Sequence, residues 1–172
     1  PLLSVILSGC TSDVAEAGVA TDLHFFSPEE FKLITGLVDV ILPKTDSPSA
    51  AEVGVHQMID QMIGLVFPKE DQEEFRTGFT AFMSYLDEAS AGKGLLKLGT
   101  EAQLEVLKKL DSSADKSQEA AKSSYLGLKQ QTVAYYLSTE EIGTKFLNYL
   151  PVPGEYEPCI SLEEAGGKAW AL

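Results

Sequence analysis

Helix-start signals recur along this chain with enough regularity to decide the fold class before any other feature is weighed. The clearest is Ser27-Pro28-Glu29-Glu30, with Ser27 at the N-cap, Pro28 at the first helical position, Glu30 at the third, and Phe26 and Phe31 placed to staple the start. Behind it Phe31, Ile34, Leu37, Val38, Ile41 and Leu42 keep helical spacing as far as Pro43, so one stripe faces a core. Ser49 with Glu52 repeats the capping spacing ahead of Val55, Met58, Ile59, Met62 and Ile63, and predicts a second helix. After Pro68 the acids Glu70 and Asp71 suit a helix N-terminus, and Phe75, Phe79, Phe82 and Leu86 then form an aromatic stripe that reads as core, closed by Gly92-Lys93-Gly94. Thr100 with Gln103 opens a fourth helix carrying Leu104, Leu107 and Leu110. A fifth follows Ala121, Tyr125, Leu128, Thr132, Val133 and Tyr136, and Ser138 with Glu141 opens a short sixth. No segment sustains the alternation of a strand, and no repeat period is visible. The expectation is an all-α, single compact domain of about six helices with an extended Pro-rich C-terminal arm.

The two ends differ from this body. Leu2, Leu3, Val5, Ile6 and Leu7 form an apolar run too short to span a bilayer, which takes about 20 residues, but suited to the h-region of an export signal. No basic residue precedes Lys32, so the positive n-region of such a signal is expected upstream of Pro1. Leu7-Ser8-Gly9-Cys10 resembles a bacterial lipobox, in which cleavage before the cysteine leaves its thiol carrying diacylglycerol. Cys10 is therefore the expected lipidation site, and the expected location is periplasmic, membrane-anchored through that lipid, with the choice of inner or outer membrane open. Thr11–Thr21, rich in small and polar residues, cannot bury enough surface to offset ordering entropy and reads as a tether. The chain thus divides into 1–21, lipoprotein signal remnant and flexible tether; 22–150, helical domain; and 151–172, an arm.

In that arm Pro151, Pro153 and Pro158 fix φ and remove backbone donors, which argues against helix. Tyr156 and Trp170 are rigid apolar groups of the kind that dominates interfaces, and Cys159 joins them as a candidate partner-binding residue. Two fates stay open for the arm: docking on a partner, or folding back so that Trp170 covers an apolar seam of its own helices. In an oxidising compartment lipidation of Cys10 leaves Cys159 without a mate, whereas an unmodified Cys10 permits a bridge between them.

The charge excludes one class of partner. With 26 acidic residues against 13 basic ones the net charge is -13, and Arg76 is the single arginine, so a phosphate backbone finds no cationic face. Catalytic motifs are also missing: there is no Gly-x-Ser-x-Gly, no Gly-x-Gly-x-x-Gly, no phosphate loop and no Cys-x-x-Cys. His56 and Asp60 stand four apart on one helical face, a spacing that lets an aspartate orient an imidazole, though the expected role is a surface or interface contact. The only other histidine is His24, so the remaining ligands a zinc ion requires are lacking. Paired acids such as Glu29-Glu30 and Glu73-Glu74 read as capping and solvation rather than acid-base chemistry. No catalytic, cofactor-binding or metal site is expected in this chain.

Several longer stretches carry a family resemblance. Phe31 to Pro48, reading Phe-x-x-Ile-x-x-Leu-Val-Asp-Val-Ile-Leu-Pro-Lys-Thr-Asp-Ser-Pro, is followed by Ala51-Glu52-Val53-Gly54-Val55 and Ile59-Asp60. Ala134-Tyr135-Tyr136-Leu137-Ser138, Gly143 and the run from Tyr149 to Cys159 complete the set. In this order they resemble the gluconate 2-dehydrogenase subunit 3 family over roughly residues 24 to 160. The resemblance implies a small, non-catalytic subunit of a periplasmic, membrane-associated dehydrogenase. Its large partner subunit, of the glucose-methanol-choline type, carries FAD and oxidises a sugar or sugar acid, and a multihaem cytochrome c subunit often takes the electrons. The small subunit is thought to accompany the flavoprotein through twin-arginine export and steady it afterwards. This chain departs from the family's twin-arginine start by showing a lipobox-like one. The alternative reading is a stand-alone, lipid-anchored helical binding or scaffolding module of the cell envelope.

Overall fold

The computed structural model describes residues 22–150, 154 and 159–171. Six α-helices account for the body: α1 (Pro28–Ile41), α2 (Val55–Gln61), α3 (Lys69–Ala89), α4 (Thr100–Asp111), α5 (Glu119–Ser138) and α6 (Glu140–Lys145). A π-helical turn, Met62–Val66, extends α2, and short 3-10 turns at Leu95–Lys97 and Lys116–Gln118 precede α4 and α5. Among the described residues the only β-type pairing is an isolated parallel bridge between Asn148 and Trp170. The all-α expectation holds.

Local chemistry explains where each helix begins. Ser27 and Glu30 form a reciprocal capping box, with Glu30 N–H on Ser27 Oγ at 3.3 Å and Ser27 N–H on Glu30 Oε2 at 2.9 Å. The second box, Ser49 with Glu52, also forms, its Ser49 N–H to Glu52 Oε2 distance being 2.8 Å. It does not start a helix, because Gly54 sits in the left-handed region at φ 77° and α2 begins only at Val55. The box instead closes a turn that Asp39 fastens to α1 by accepting Ala51 N–H at 2.9 Å. α4 starts at Thr100 with Gly99 as N-cap, and Gln103 turns back to donate to the carbonyls of Leu95 and Leu98 rather than boxing with Thr100. At α6 the N-cap is Thr139, one residue after the expected Ser138, whose hydroxyl donates to Tyr135 O. α3 ends where Ala91, Gly92 and Gly94 take positive φ.

The expected stripes make the core. Ile34, Leu37, Ile59, Ile63, Phe79 and Phe82 are fully enclosed, joined by Leu107, Leu110, Leu128 and Ile142 from the later helices. α3 lies along α5 as the most extensive pairing, and α2 and α1 also pack on α5. Ring contacts run through this interface from Phe26 to Phe79 (5.3 Å between centroids), Phe79 to Phe82 (6.5 Å) and Phe82 to Tyr125 (5.8 Å). Val133, expected in the α5 stripe, is 39% exposed; the core face of α5 passes through Leu128, Thr132 and Tyr136 instead. The Tyr136 hydroxyl lies 2.8 Å from both Pro48 O and Ser47 Oγ, tying α5 to the α1–α2 connection.

Candidate functional site

Two constructions stand out at the margins of this core. The first holds the chain leading into α1. Asp60, expected beside His56, is 1% exposed and is turned to that leading segment: it accepts the backbone N–H groups of His24 (2.8 Å), Phe25 (3.1 Å) and Phe26 (2.9 Å). Three amides of consecutive residues converge on one carboxylate, which satisfies both the buried charge and the donors. Arg76 of α3 grips the same segment from the other side. Its Nη1 meets Glu30 Oε1 at 2.7 Å, its Nη2 donates to Phe25 O at 2.8 Å, and its guanidinium lies 4.1 Å from the centre of the Phe25 ring. Partial burial pushes the Glu30 carboxyl upward, but the Ser27 amide and hydroxyl and the Arg76 guanidinium outweigh it and hold it below the ordinary value. Gly64 completes the seat: a Cβ there would stand 2.5 Å from His24 Cβ and 2.7 Å from the His24 carbonyl carbon.

The spacing that would let Asp60 orient His56 is therefore not used, and Asp60, expected in a surface or interface contact, is instead buried. With Asp60 committed to backbone amides, His56 packs against the Phe31 ring at 5.2 Å, and its buried Nδ1 has no hydrogen-bond partner. Burial lowers its pKa, and the nearby Asp39 charge only partly opposes that. Among the described residues no group of three or more His, Cys, Asp or Glu is arranged to hold a metal ion.

The second construction is at the C-terminal end. Asn148 clasps the returning chain: its N–H donates to Ala169 O (2.8 Å), its carbonyl accepts Ala171 N–H (2.9 Å), and its side-chain amide donates to Ala165 O and Lys168 O. Ser161 and Glu164 form a reciprocal box at the start of the turn that precedes these contacts. Ala171 lies beside Gly143 of α6, 3.8 Å from where a Cβ would project. Trp170, a predicted partner-binding residue, is thus held at the bridge and 51% exposed; Cys159 is exposed as well. Tyr149, Leu150 and Leu162 add exposed apolar surface to the same C-terminal stretch. Tyr156 and the expected lipidation site Cys10 lie outside the described residues, as do the whole of 1–21 and most of the Pro-rich run. Asn148 carries no local sequence signal, since its partners lie 17 or more residues further on.

A second exposed apolar feature, Leu65 and Val66 on the π-helical turn, stands 64% and 63% exposed beside Gly64. No described helix is long and apolar enough to cross a membrane. No curated protein and no solved structure matches the chain. The family described as Gluconate 2-dehydrogenase subunit 3 matches residues 28–154, a span that begins at Pro28 of the first capped helix and takes in all six helices and Asn148. With that match running through most of its length, the chain belongs to the gluconate 2-dehydrogenase subunit 3 family.

Proposed function

We propose that this chain is the non-catalytic small subunit of a periplasmic, FAD-dependent sugar or sugar-acid dehydrogenase of the gluconate 2-dehydrogenase type, assisting export, assembly and stabilisation of the flavoprotein subunit. The observation that carries the reading is the family match across the whole helical body. The exposed apolar side chains near the Asn148 clasp suit it, because a subunit that works by contact needs rigid apolar groups facing outward. FAD, and haem where a cytochrome c subunit is present, belong to the partners in this reading. Attachment to the membrane is through lipid on Cys10, where each buried methylene contributes about 0.8 kcal/mol and two or more chains anchor stably.

Tagged full-length chain, purified from native membranes, tests the proposal. Recovery of a flavoprotein dehydrogenase in fixed stoichiometry is the expected result; recovery of the chain alone overturns it in favour of a stand-alone envelope module. Intact-mass measurement on the same material reads the anchor, and an unmodified Cys10 removes that part of the proposal.

A further inference from the structure

Along one side of the α3–α5 pairing runs an open groove of about 550 Å³ that the contacts described above do not use. This volume is in the range of about 300 to 1,000 Å³ typical of ligand-holding clefts. Its floor is made of small residues: Gly78 of α3 lies so close to α5 that a Cβ there would stand 3.3 Å from Ser124 Cβ, and Ala120 and Gly127 continue the depression along α5. Phe67 and Phe75 supply aromatic wall. Asp71 and Glu74 stand on the α3 side, spaced three apart so that they share a helical face. Among the described residues neither forms an ion pair, and no basic side chain lines the groove.

Hydrogen bonding marks the same place. Among the described residues three enclosed side-chain polar atoms have no partner, and two of them, Ser124 Oγ and Gln131 Oε1, belong to this groove. Enclosed oxygens without donors are uncommon in folded proteins. Exposed carboxylates without a cationic partner, beside an aromatic wall and a floor that still holds unsatisfied polar atoms, together describe the complement of one kind of group: a long cationic side chain whose stem lies on the rings while its head meets Asp71 and Glu74.

We propose that the groove between α3 and α5 receives an Arg- or Lys-bearing segment of the flavoprotein subunit. This rests on the accessory-subunit reading above and adds to it the contact surface and its chemistry. A second copy of this chain fits poorly, since each copy carries a net charge of -13.

Gly127 allows the groove to be blocked without disturbing the fold, because a Cβ added there meets nothing within 4 Å and its backbone is helical. The full chain is co-produced with the flavoprotein subunit as wild type, Gly127→Ala, Gly127→Leu and Glu74→Lys, and the recovered flavoprotein and each melting temperature are measured. Gly127→Leu and Glu74→Lys are expected to lower recovery at least about tenfold with melting temperature held, and Gly127→Ala to change it little. If wild type recovers no flavoprotein, the accessory-subunit reading falls and this proposal with it. If wild type and Gly127→Leu recover it equally, the groove is not the contact and only this proposal falls. A photo-crosslinker at exposed Ser123 identifies the occupant. Adducts on a basic segment of the flavoprotein support the proposal, whereas adducts on residues 1–21 of this chain or on a second copy overturn it.

Discussion

The carboxylate of Asp60 accepts the backbone N–H of Phe26 at 2.9 Å, across 34 residues of chain. With His24 and Phe25 bonded to the same group, Asp60 anchors the segment that leads into the molecule. Asp60→Ala leaves the buried Phe26 amide without an acceptor, at about 1–3 kcal/mol, and exposes the part-buried His24 and Phe25 amides to water, so a loss of about 2 kcal/mol or more is expected in urea unfolding. Asp60→Asn keeps one acceptor oxygen and is expected to lose less. Hydrogen exchange at the amides of residues 24–26 reads the site directly, and unchanged protection in either variant refutes the anchor.

Arg76→Lys is not a mild change here. Lysine cannot reach Glu30 and Phe25 O together while stacking on the Phe25 ring, so a loss of about 1 kcal/mol is expected. Because the folded pKa of Glu30 is lowered, its contribution is complete above the ordinary carboxylate value and disappears as pH falls through the folded one. Glu30→Gln should therefore cost less stability at pH 3 than at pH 7. Equal losses at both pH values would contradict this pairing.

His56 supplies a second pH dependence in a different window. Its folded pKa is lowered by burial, so the unfolded chain takes up its proton first, and stability falls as pH drops below about 6.5 until the folded pKa is passed. Asp39 limits the effect, since its charge favours the imidazolium. His56→Gln is expected to flatten the melting temperature between pH 6.5 and 5 relative to wild type, and parallel curves would show that another group titrates there.

Two glycines in close quarters predict opposite tolerances. At Gly64 a methyl group would meet the His24 backbone, which Asp60 holds in place, so Gly64→Ala is expected to lose about 2 kcal/mol or more. At Gly36 the obstacle is the end of the Leu96 side chain, which can rotate away. Gly36→Ala, which also gains helix propensity, is expected to fall within about 1 kcal/mol of wild type. Similar losses in chemical unfolding would remove the distinction.

Asn148→Ala removes the side-chain bonds to Ala165 O and Lys168 O while leaving the backbone bridge to Trp170. Faster hydrogen exchange through residues 159–171, with the helices unaffected, is the expected outcome. A chain ending at Leu150 extends the comparison: retained melting temperature with lost flavoprotein recovery assigns the segment to docking. A large drop in melting temperature assigns it to the fold.

Much of the helical order was legible because its signals are local. Ser27 and Glu30 cap each other within one turn, and the stripe from Phe31 to Ile41 needs only helical spacing to declare its buried face. Reading faltered where a local signal had another outlet. The Ser49–Glu52 box forms as its spacing demands, but left-handed Gly54 ends its turn before a helix can propagate. Gln103 resembles a capping residue, yet nearby loop carbonyls take its amide. What stayed illegible was non-local. The four-residue step from His56 to Asp60 permitted a pair, while the partners of Asp60 lie 34 to 36 residues upstream. The α3–α5 groove likewise depends on Gly78 facing Ser124, a meeting that no periodicity within either helix announces.

The Tyr136 contact with Ser47 and Pro48 sets an order of events as the chain is made. These partners are separated by 88 and 89 residues, so the loop after α1, held until then only by its local bonds to Asp39 and Glu52, gains its tie to α5 once most of α5 has been synthesised. α1 and α2 also bury their stripes partly against α5, which makes this late helix the element that completes the core. A nascent chain stopped before α5 therefore still exposes the apolar faces of α1, α2 and α3, and release of the finished C-terminal half is the step that withdraws them from solvent.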